Sequence, residues 1–169
     1  MRDSRPRLDI PWTPADRALE LLALAALVGF AGVAAAFAGG LPERIPIHFG
    51  FGGNPDGWAG PASRWALPAL ALVLYATLTW VSRVPHAYNY PWAITPANAE
   101  RQYRLARRLV LALKALVCWQ FGAIYLQSLE VTTGARPGLS PWLTFSFLIA
   151  PLGLVVAYLV AATRGGPAS

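Results

Sequence analysis

Four long stretches without charged residues constrain this chain more than any other feature of its sequence. They contain 22, 18, 21 and 27 residues, and Lys114 is the only charge that interrupts one of them, the third. The stretches lie between Glu20 and Glu43, Arg64 and Arg83, Arg108 and Glu130, and Arg136 and Arg164. A helix that crosses the hydrocarbon of a bilayer needs about 20 apolar residues, with a range of about 17–25. The pattern therefore predicts four transmembrane helices.

The composition argues against a soluble protein. Hydrophobic residues make up 56% of the chain and charged residues 13%, whereas soluble domains have roughly 45–50% and about 25%. A soluble helical bundle would carry polar stripes at helical spacing, but these stretches are apolar on every side. We therefore predict an all-α integral membrane protein, in which a single domain over residues 1–169 contains helices at 14–39, 64–84, 97–129 and 141–163.

The first apolar stretch also shares features with a signal peptide. It follows basic residues, and Ala36-Phe37-Ala38 offers a small-x-small cleavage pattern. However, the apolar region at 21–38 is longer than the roughly 7–15 residues of a usual signal sequence. We interpret it as an uncleaved helix. Cys118 is the only cysteine, so no intramolecular disulfide can form.

The arginines predict the orientation in the membrane. Ten of them fall on one side of the predicted helices and three on the other. The ten are Arg2, Arg5, Arg7, Arg17, Arg83, Arg101, Arg104, Arg107, Arg108 and Arg164, and the three are Arg44, Arg64 and Arg136. The positive-inside rule then predicts a multi-pass membrane protein with both termini and the second connection in the cytoplasm. We expect no direct binding of nucleic acid, because basic residues interleaved with aromatics occur only beside the membrane.

Local signals mark the helix starts and one possible helix contact. Thr13-Pro14-Ala15-Asp16 combines an N-cap, a proline at the first helical position and an acid in the first turn. Thr95-Pro96 and Ser140-Pro141 repeat the cap-then-proline pattern before the third and fourth helices. The spacing of Gly32, Ala36 and Gly40 permits close helix packing, either within the chain or in a homo-oligomer.

The connection between the first two helices, residues 41–63, is predicted to be an ordered, hairpin-like loop outside the cell. Residues 54–57, Asn-Pro-Asp-Gly, favour a type I turn. Residues 44–49 favour a short extended segment, which Pro46 restricts to the edge of a sheet. The glycines within 50–53 allow the chain to fold back.

The titratable residues of this loop are few. Glu43, His48 and Asp56 form a possible ligand set, but catalytic zinc needs about three protein ligands and nothing in the spacing demands one site. Asp56 is expected to bond nearby backbone within the turn. We therefore predict no catalytic residue, no metal and no cofactor. The alternative is a membrane-embedded enzyme or small transporter that uses His48, Asp56 and Lys114.

Lys114 lies only six residues beyond Arg108 in the third stretch. An ionisable group within the membrane marks a functional hypothesis, such as a substrate or ion pathway. We favour the simpler interpretation, in which the long side chain extends back toward the cytoplasmic surface. Gln120 and Gln127, further along the same helix, are expected to hydrogen-bond across helices.

The second connection carries a basic cluster at the start of the third helix. Arg101, Arg104 and Arg108 share one helical face, with Arg107 beside them. Contact with anionic lipid headgroups, at about 1 kcal/mol per basic residue, accounts for the cluster. A cytosolic protein partner is the alternative.

Two motifs resemble a known membrane family. The first is Leu41-Pro42, Ile45-Pro46-x-His48-Phe49 and Gly53-x-Pro55-Asp56-Gly57-Trp58. The second is Asn89-Tyr90-Pro91, Ile94-Thr95-Pro96-Ala97-Asn98 and Gln102-Tyr103-Arg104-Leu105-Ala106-Arg107. Both are similar to the family called domain of unknown function 1648, whose best-known relatives are the SdpI-type immunity proteins.

This resemblance implies a bacterial plasma-membrane protein that protects against a secreted peptide toxin and signals by holding a repressor at the membrane. The SdpI-type proteins carry further transmembrane helices after this module, which the present sequence lacks. We therefore predict a non-enzymatic binding or sensing protein of the cell envelope, or a peptide-toxin immunity module. Its expected partners are the lipid bilayer, an extracellular peptide, a cytosolic regulator and a second copy of the chain.

Two sets of candidate binding residues follow. The outer-loop set consists of Pro46, His48, Phe49, Gly53, Pro55, Asp56, Gly57 and Trp58. The inner-face set consists of Asn89, Pro91, Arg101, Arg104, Arg107 and Arg108.

Overall fold

The computed structural model describes residues 5–37, 39–40 and 42–164 of the chain. Four helices account for most of it: α1 (Pro14–Ala36), α2 (Ala66–Ser82), α3 (Ala99–Thr132) and α4 (Pro141–Thr163). With the 3₁₀ turn Pro61–Trp65 joined to α2, all four are long and apolar enough to cross a membrane. The predicted class, an all-α protein with four membrane-spanning helices, is confirmed.

Helix α3 is the centre of the bundle. It packs against α1, α2 and α4, and it contains more buried residues than any of the other three helices. Its 34 residues give a length of about 51 Å. Because the hydrocarbon core is only about 30 Å thick, the arginine-bearing start of α3 extends beyond it. In α4, Ala162 is the only buried residue among those described, so most of α4 faces outward.

Two apolar clusters hold the ends of the bundle together. In the first, Phe30 of α1 packs on Tyr125 of α3 with their ring centroids 5.0 Å apart, beside Ala71 of α2. In the second, Ile10 of the N-terminal segment is buried against Ala99 and Tyr103 of α3. The N-terminal segment is therefore packed onto the start of α3, far from it in sequence.

The helix starts follow the sequence signals only in part. Thr13 and Asp16 form the reciprocal capping box at α1. Pro141 occupies the first turn of α4 as expected, but the Ser140 side chain makes no capping bond. The cap predicted for the third helix is wrong, because Asn98, not Thr95, is its N-cap. The Asn98 amide oxygen accepts from Thr95 N at 2.9 Å, which holds residues 95–98 in a turn before the helix.

A two-stranded antiparallel sheet lies between α1 and α2. Its strands are β1 (Ile45–Phe49) and β2 (Pro55–Ala59), and the predicted ordered hairpin is confirmed. The predicted turn at 54–57 is wrong, because Pro55 to Gly57 belong to β2. The chain reverses at Gly50–Gly53 instead, where Gly53 N donates to Gly50 O at 2.8 Å and Gly53 has φ +80°. A glycine accepts this left-handed backbone without strain.

The glycines at 29, 32 and 40 do not mark a close contact among the described residues. A Cβ added at Gly29, Gly32 or Gly40 would meet no atom of the described residues within 4 Å. Gly29 and Gly122 instead line an apolar groove of about 340 Å³ between α1 and α3. The glycine spacing therefore does not serve close helix packing among the described residues.

Two names are used below for the ends of the bundle. The hairpin end contains β1, β2 and the connection 133–140. The terminal end contains residues 5–20, the last two turns of α2, the connection 83–98, residues 99–114 of α3 and the last turn of α4.

Candidate functional site

The hairpin brings together two of the predicted residues, His48 and Asp56. β1 pairs His48 with Gly57, the neighbour of Asp56 on β2, and His48 Nδ1 lies 2.5 Å from Asp56 Oδ1. The side chains are 71% and 53% exposed. Asp56 was expected to bond backbone in a turn, but it contacts His48 because the turn lies elsewhere. The pair presents an imidazole and a carboxylate to any ligand at this surface.

The hairpin also exposes three large apolar side chains. Ile47, Phe51 and Trp58 are 55%, 87% and 45% exposed. Exposed apolar groups gathered on one small element are typical of a contact surface with a protein, a peptide or a membrane. We call Ile47, His48, Phe51, Asp56 and Trp58 the hairpin surface.

The other predicted outer-loop residues are less accessible. Pro46 and Gly53 are buried, and Phe49, Pro55 and Gly57 are half-buried. Gly57 leaves room for the imidazole, because a Cβ there would lie 2.9 Å from His48 Cβ. These five residues shape the hairpin, while a ligand that approaches the protein through solvent meets the hairpin surface first.

The tip of the hairpin is fastened to the rest of the bundle. Leu139 N, in the α3–α4 connection, donates to Gly53 O at 2.8 Å. Phe51 packs edge-on against Phe145 of α4, with ring centroids 6.3 Å apart. The hairpin surface is thus held in a fixed position relative to α3 and α4.

The described residues contain no group of three His, Cys, Asp or Glu side chains that could hold a metal ion. In particular, Glu43 does not join His48 and Asp56. The possible three-residue ligand set is therefore reduced to an exposed pair.

At the terminal end, Arg107 is buried among the residues that precede α1. It is 5% exposed, and its guanidinium donates to Ile10 O at 2.7 Å, Pro11 O at 2.9 Å and Asp16 Oδ2 at 3.3 Å. It also lies over the Trp12 ring at 5.6 Å. Arg107 is therefore inside the protein and not on the inner-face surface that the sequence predicted.

The connection 83–98 is tied to its surroundings by tyrosines. Tyr88 donates its hydroxyl to Val81 O at 2.7 Å, and Tyr90 donates to Pro85 O at 2.9 Å. Burial raises the pKa of both hydroxyls, so they stay protonated and remain donors. Arg5 of the N-terminal segment donates to Tyr88 O at 2.6 Å and stacks over the Tyr90 ring.

The remaining inner-face candidates lie at or near the surface of the terminal end. Asn89 and Pro91 are exposed. Arg104 pairs with Glu100 one turn away, and its side chain is 37% exposed. Arg101 donates to the carbonyls of Ala161 and Ala162 at the end of α4. Those carbonyls lack helical partners, so a guanidinium there stabilises the helix terminus.

Arg108 is the last of these candidates. Its Nε lies 3.5 Å from Asp16 Oδ1, its Nη2 donates to Thr13 Oγ1 at 3.3 Å, and its side chain is 40% exposed. Arg101, Arg104 and Arg108 therefore all make contacts within the chain while keeping part of their surface accessible.

The prediction that Lys114 extends toward the cytoplasmic surface is wrong. Lys114 is fully buried, and its ammonium donates to Glu20 of α1 and, at 2.9 Å, to Thr79 of α2. It also lies 4.5 Å from the centroid of the Tyr75 ring, whose hydroxyl donates to Glu20 Oε1 at 2.6 Å. The partner carboxylate on α1 makes burial possible, because a buried charge must be paired.

Sequence reasoning missed this cluster and the role of Asp16. Glu20 and Asp16 were used only as markers of the first helix, although acids near a helix start and basic residues of α3 are complementary in charge. Helical spacing alone does not tell which faces of two separate helices meet. The cross-helix role is confirmed for Gln120, which donates to Ser146 Oγ of α4 at 3.2 Å, whereas Gln127 accepts from Ser140 N, in the α3–α4 connection, at 2.7 Å.

Comparison with known proteins finds a family match in part of the chain. Residues 22–72 match the family model described as Domain of unknown function (DUF1648). This segment comprises most of α1, the whole hairpin and the start of α2. No curated protein and no solved structure matches the chain. The similarity to this family at the hairpin agrees with the first motif, whereas the second motif, at 89–107, lies outside the matched segment.

Proposed function

We propose that this protein is a non-enzymatic receptor of the bacterial cell envelope that binds an extracellular peptide with its hairpin surface. In this proposal it senses the peptide, or protects the cell from it, as the resemblance to SdpI-type immunity proteins implies. The family match at 22–72 supports the hairpin as the shared element, and the four apolar helices support residence in a bilayer.

The observation that carries the proposal is the fixed, apolar hairpin surface. A surface that is held by Leu139 and Phe145 loses little conformational entropy when a ligand binds to it. Aromatic and aliphatic side chains such as Phe51, Trp58 and Ile47 supply contact area, and the His48–Asp56 pair supplies polar contacts beside them. An extended peptide with alternating apolar and polar groups has the complementary chemistry.

The alternative function requires His48, Asp56 and Lys114 to act together. Lys114 contacts Glu20, which lies 16 residues before the end of α1 at Ala36. That separation corresponds to about 24 Å along the helix axis. His48 and Asp56 lie beyond that end of α1, so the three residues do not form one site. This geometry favours a binding surface over a shared catalytic or transport site.

At the terminal end we propose an inner-face contact surface. Asn89, Pro91, Arg104 and Arg108 are its accessible members, facing anionic lipid headgroups or a cytosolic regulator. Replacing Arg104 and Arg108 together by Gln distinguishes the two. Loss of a captured cytosolic protein, with insertion and abundance unchanged, favours the regulator, whereas weaker association with anionic vesicles alone favours lipid.

Orientation is tested with single cysteines at exposed positions. Gly52→Cys lies in the hairpin turn, and Ala97→Cys lies in the turn before α3. On whole cells, an impermeant thiol reagent is expected to label Gly52→Cys and not Ala97→Cys. The wild type, in which Cys118 is buried, gives the background. Labelling of Ala97→Cys alone would reverse the orientation and place the hairpin in the cytoplasm, against the proposal.

Peptide binding is tested by selecting peptides from a random displayed library on the protein in nanodiscs. Selected peptides are expected to lose affinity for the double variant Phe51→Ser, Trp58→Ser. Trp142→Ser is the matched control, because Trp142 is 82% exposed at the start of α4 and lies outside the hairpin. Failure to enrich any peptide, or equal binding to all three proteins, contradicts the proposed function.

A further inference from the structure

A small pocket lies between β1 and the bundle. It is lined by Ile45 and Pro46 of β1, Arg64 of the 3₁₀ turn, Leu67 of α2, and Tyr125 and Ser128 of α3. Its volume is about 60 Å³. A water molecule needs roughly 10–15 Å³ by this measure, so the pocket has room for a group of several heavy atoms.

Two hydroxyl groups in the pocket are buried and have no hydrogen-bond partner among the residues that the structure describes. Tyr125 is 4% exposed and Ser128 is 5% exposed. Neither Tyr125 Oη nor Ser128 Oγ has a hydrogen-bond partner among the described residues. Buried hydroxyls without partners are uncommon, because each forfeits the bonds that it makes with water. Their presence in one pocket points to a ligand that accepts hydrogen bonds.

The charge of the lining selects the class of acceptor. Arg64 contributes a guanidinium, and no acidic side chain is among the described residues that line the pocket. A guanidinium beside two hydroxyl donors suits a planar, anionic group with two oxygens. The apolar walls from Ile45, Pro46 and Leu67 suit an alkyl group attached to it.

We infer that this pocket binds a carboxylate, and that its source is the C-terminal carboxylate of the peptide recognised by the hairpin surface. Ile47 belongs to both the pocket lining and the hairpin surface, so one extended chain end can reach both. The peptide source rests on the proposed function, whereas the carboxylate preference of the pocket stands on the lining residues alone.

The first test measures the unfolding temperature of the full chain in nanodiscs. Sodium acetate is compared with sodium chloride at equal ionic strength. A ligand of the folded state raises the unfolding temperature with its concentration, so acetate is expected to raise it above the chloride value. Tyr125→Phe and Ser128→Ala are each expected to weaken the apparent affinity about tenfold, since each removes a bond to a charged group.

Tyr158→Phe is the matched control, because it removes the same hydroxyl from a tyrosine outside the pocket. It should respond to acetate as the wild type does. An equal response of wild type, Tyr125→Phe and Ser128→Ala, or no response to acetate, overturns the carboxylate site and leaves ordered water as the occupant.

The second test distinguishes the sources of the carboxylate. An acetylated tripeptide with a free C-terminus is compared with the same tripeptide as its amide. Binding of the free acid alone supports the peptide source, whereas a response to acetate without a response to the free acid assigns the pocket to small free acids. The variant Phe51→Ser, Trp58→Ser leaves the pocket lining unchanged, so it is expected to keep the acetate response. Failure of the carboxylate site can therefore be distinguished from failure of the proposed peptide binding.

Discussion

The two ends of the bundle use charge in opposite ways. At the terminal end, Asp16 and Lys114 are fully buried and Arg107 is 5% exposed, and each is bonded to residues distant in sequence. At the hairpin end, the His48–Asp56 pair is more than half exposed and joins two adjacent strands. Charge therefore holds the helices together at one end and remains accessible to a ligand at the other.

This difference predicts which substitutions should change the stability of the fold and which should change ligand binding. A buried charge that loses its partner keeps its desolvation cost, so the folded protein is destabilised. An exposed pair is solvated in both states, so its loss changes stability little. The terminal end should therefore govern stability, while the hairpin surface should govern recognition.

The largest effect is expected for Lys114→Met. This change leaves Glu20 without its ammonium partner between α1, α2 and α3, and breaking a buried pair costs about 3–5 kcal/mol. The measurement is the free energy of unfolding in mixed detergent micelles. Arg104→Met is the control, because its exposed pair with Glu100 is worth about 0.3–0.5 kcal/mol. If both variants lose a similar amount of unfolding free energy, buried and exposed charges contribute equally to stability, against this prediction.

A smaller loss in the free energy of unfolding is expected for Arg107→Met. It removes the donors to Ile10 O and Pro11 O, but Asp16 retains its ion pair with Arg108 and its hydrogen bond from Thr13 N. Loss of bonds from a charged group costs about 1.5–3 kcal/mol. Hydrogen exchange at residues 8–12 should also become faster, because this segment loses its contact with α3. Unchanged exchange there would show that Ile10 packing alone holds the segment.

The fold was more predictable than the contacts. Charge segregation along the chain predicted four spanning helices, because each apolar stretch is long enough by itself. The turn at 54–57 was mispredicted because Asn-Pro-Asp-Gly is a strong local signal, yet strand pairing and the positive φ of Gly53 place the reversal at 50–53. A local motif does not report which strand register the tertiary contacts stabilise.

Lys114 illustrates the same limit at the candidate sites. Its distance from Arg108 along α3 is visible in the sequence, but the approach of Glu20 and Thr79 depends on how α1 and α2 pack against α3. His48 and Asp56 were both predicted, and their contact was not, because their pairing depends on the hairpin register. Residue type thus predicted candidates, and tertiary packing decided their partners.

The fastening of the hairpin gives the next prediction, Gly53→Ala. Gly53 has φ +80°, and an added Cβ would lie 2.5 Å from Leu139 O. Strained backbone of this kind costs about 1–3 kcal/mol, and relief of the clash should separate the hairpin tip from the α3–α4 connection. Unfolding free energy and peptide binding should both fall.

Gly52→Ala is the matched control for this prediction. Gly52 is the preceding residue, and among the described residues its added Cβ meets only Asn54 Nδ2, at 3.9 Å. It should behave as the wild type. If Gly53→Ala retains full peptide affinity, the fixed position of the hairpin is not required for recognition.

The smallest effect on stability is expected at the exposed pair itself. His48→Ala and Asp56→Ala should each change the free energy of unfolding by only about 0.2–1 kcal/mol, because both side chains are solvated. Each should nevertheless weaken the binding of a selected peptide by about fivefold to tenfold, the loss of one or two polar contacts.

A double-mutant cycle on the two residues sharpens this last prediction. If His48 and Asp56 act as one hydrogen-bonded unit, the double variant should lose little more affinity than either single variant. Strictly additive losses would mean that each side chain contacts the peptide independently of the other. A catalytic or metal-binding pair would behave differently again: each single change would abolish activity while the fold persisted, and metal analysis of the purified protein would find stoichiometric metal that His48→Ala removes. That outcome would replace the accessible binding surface at the hairpin end with a reactive centre.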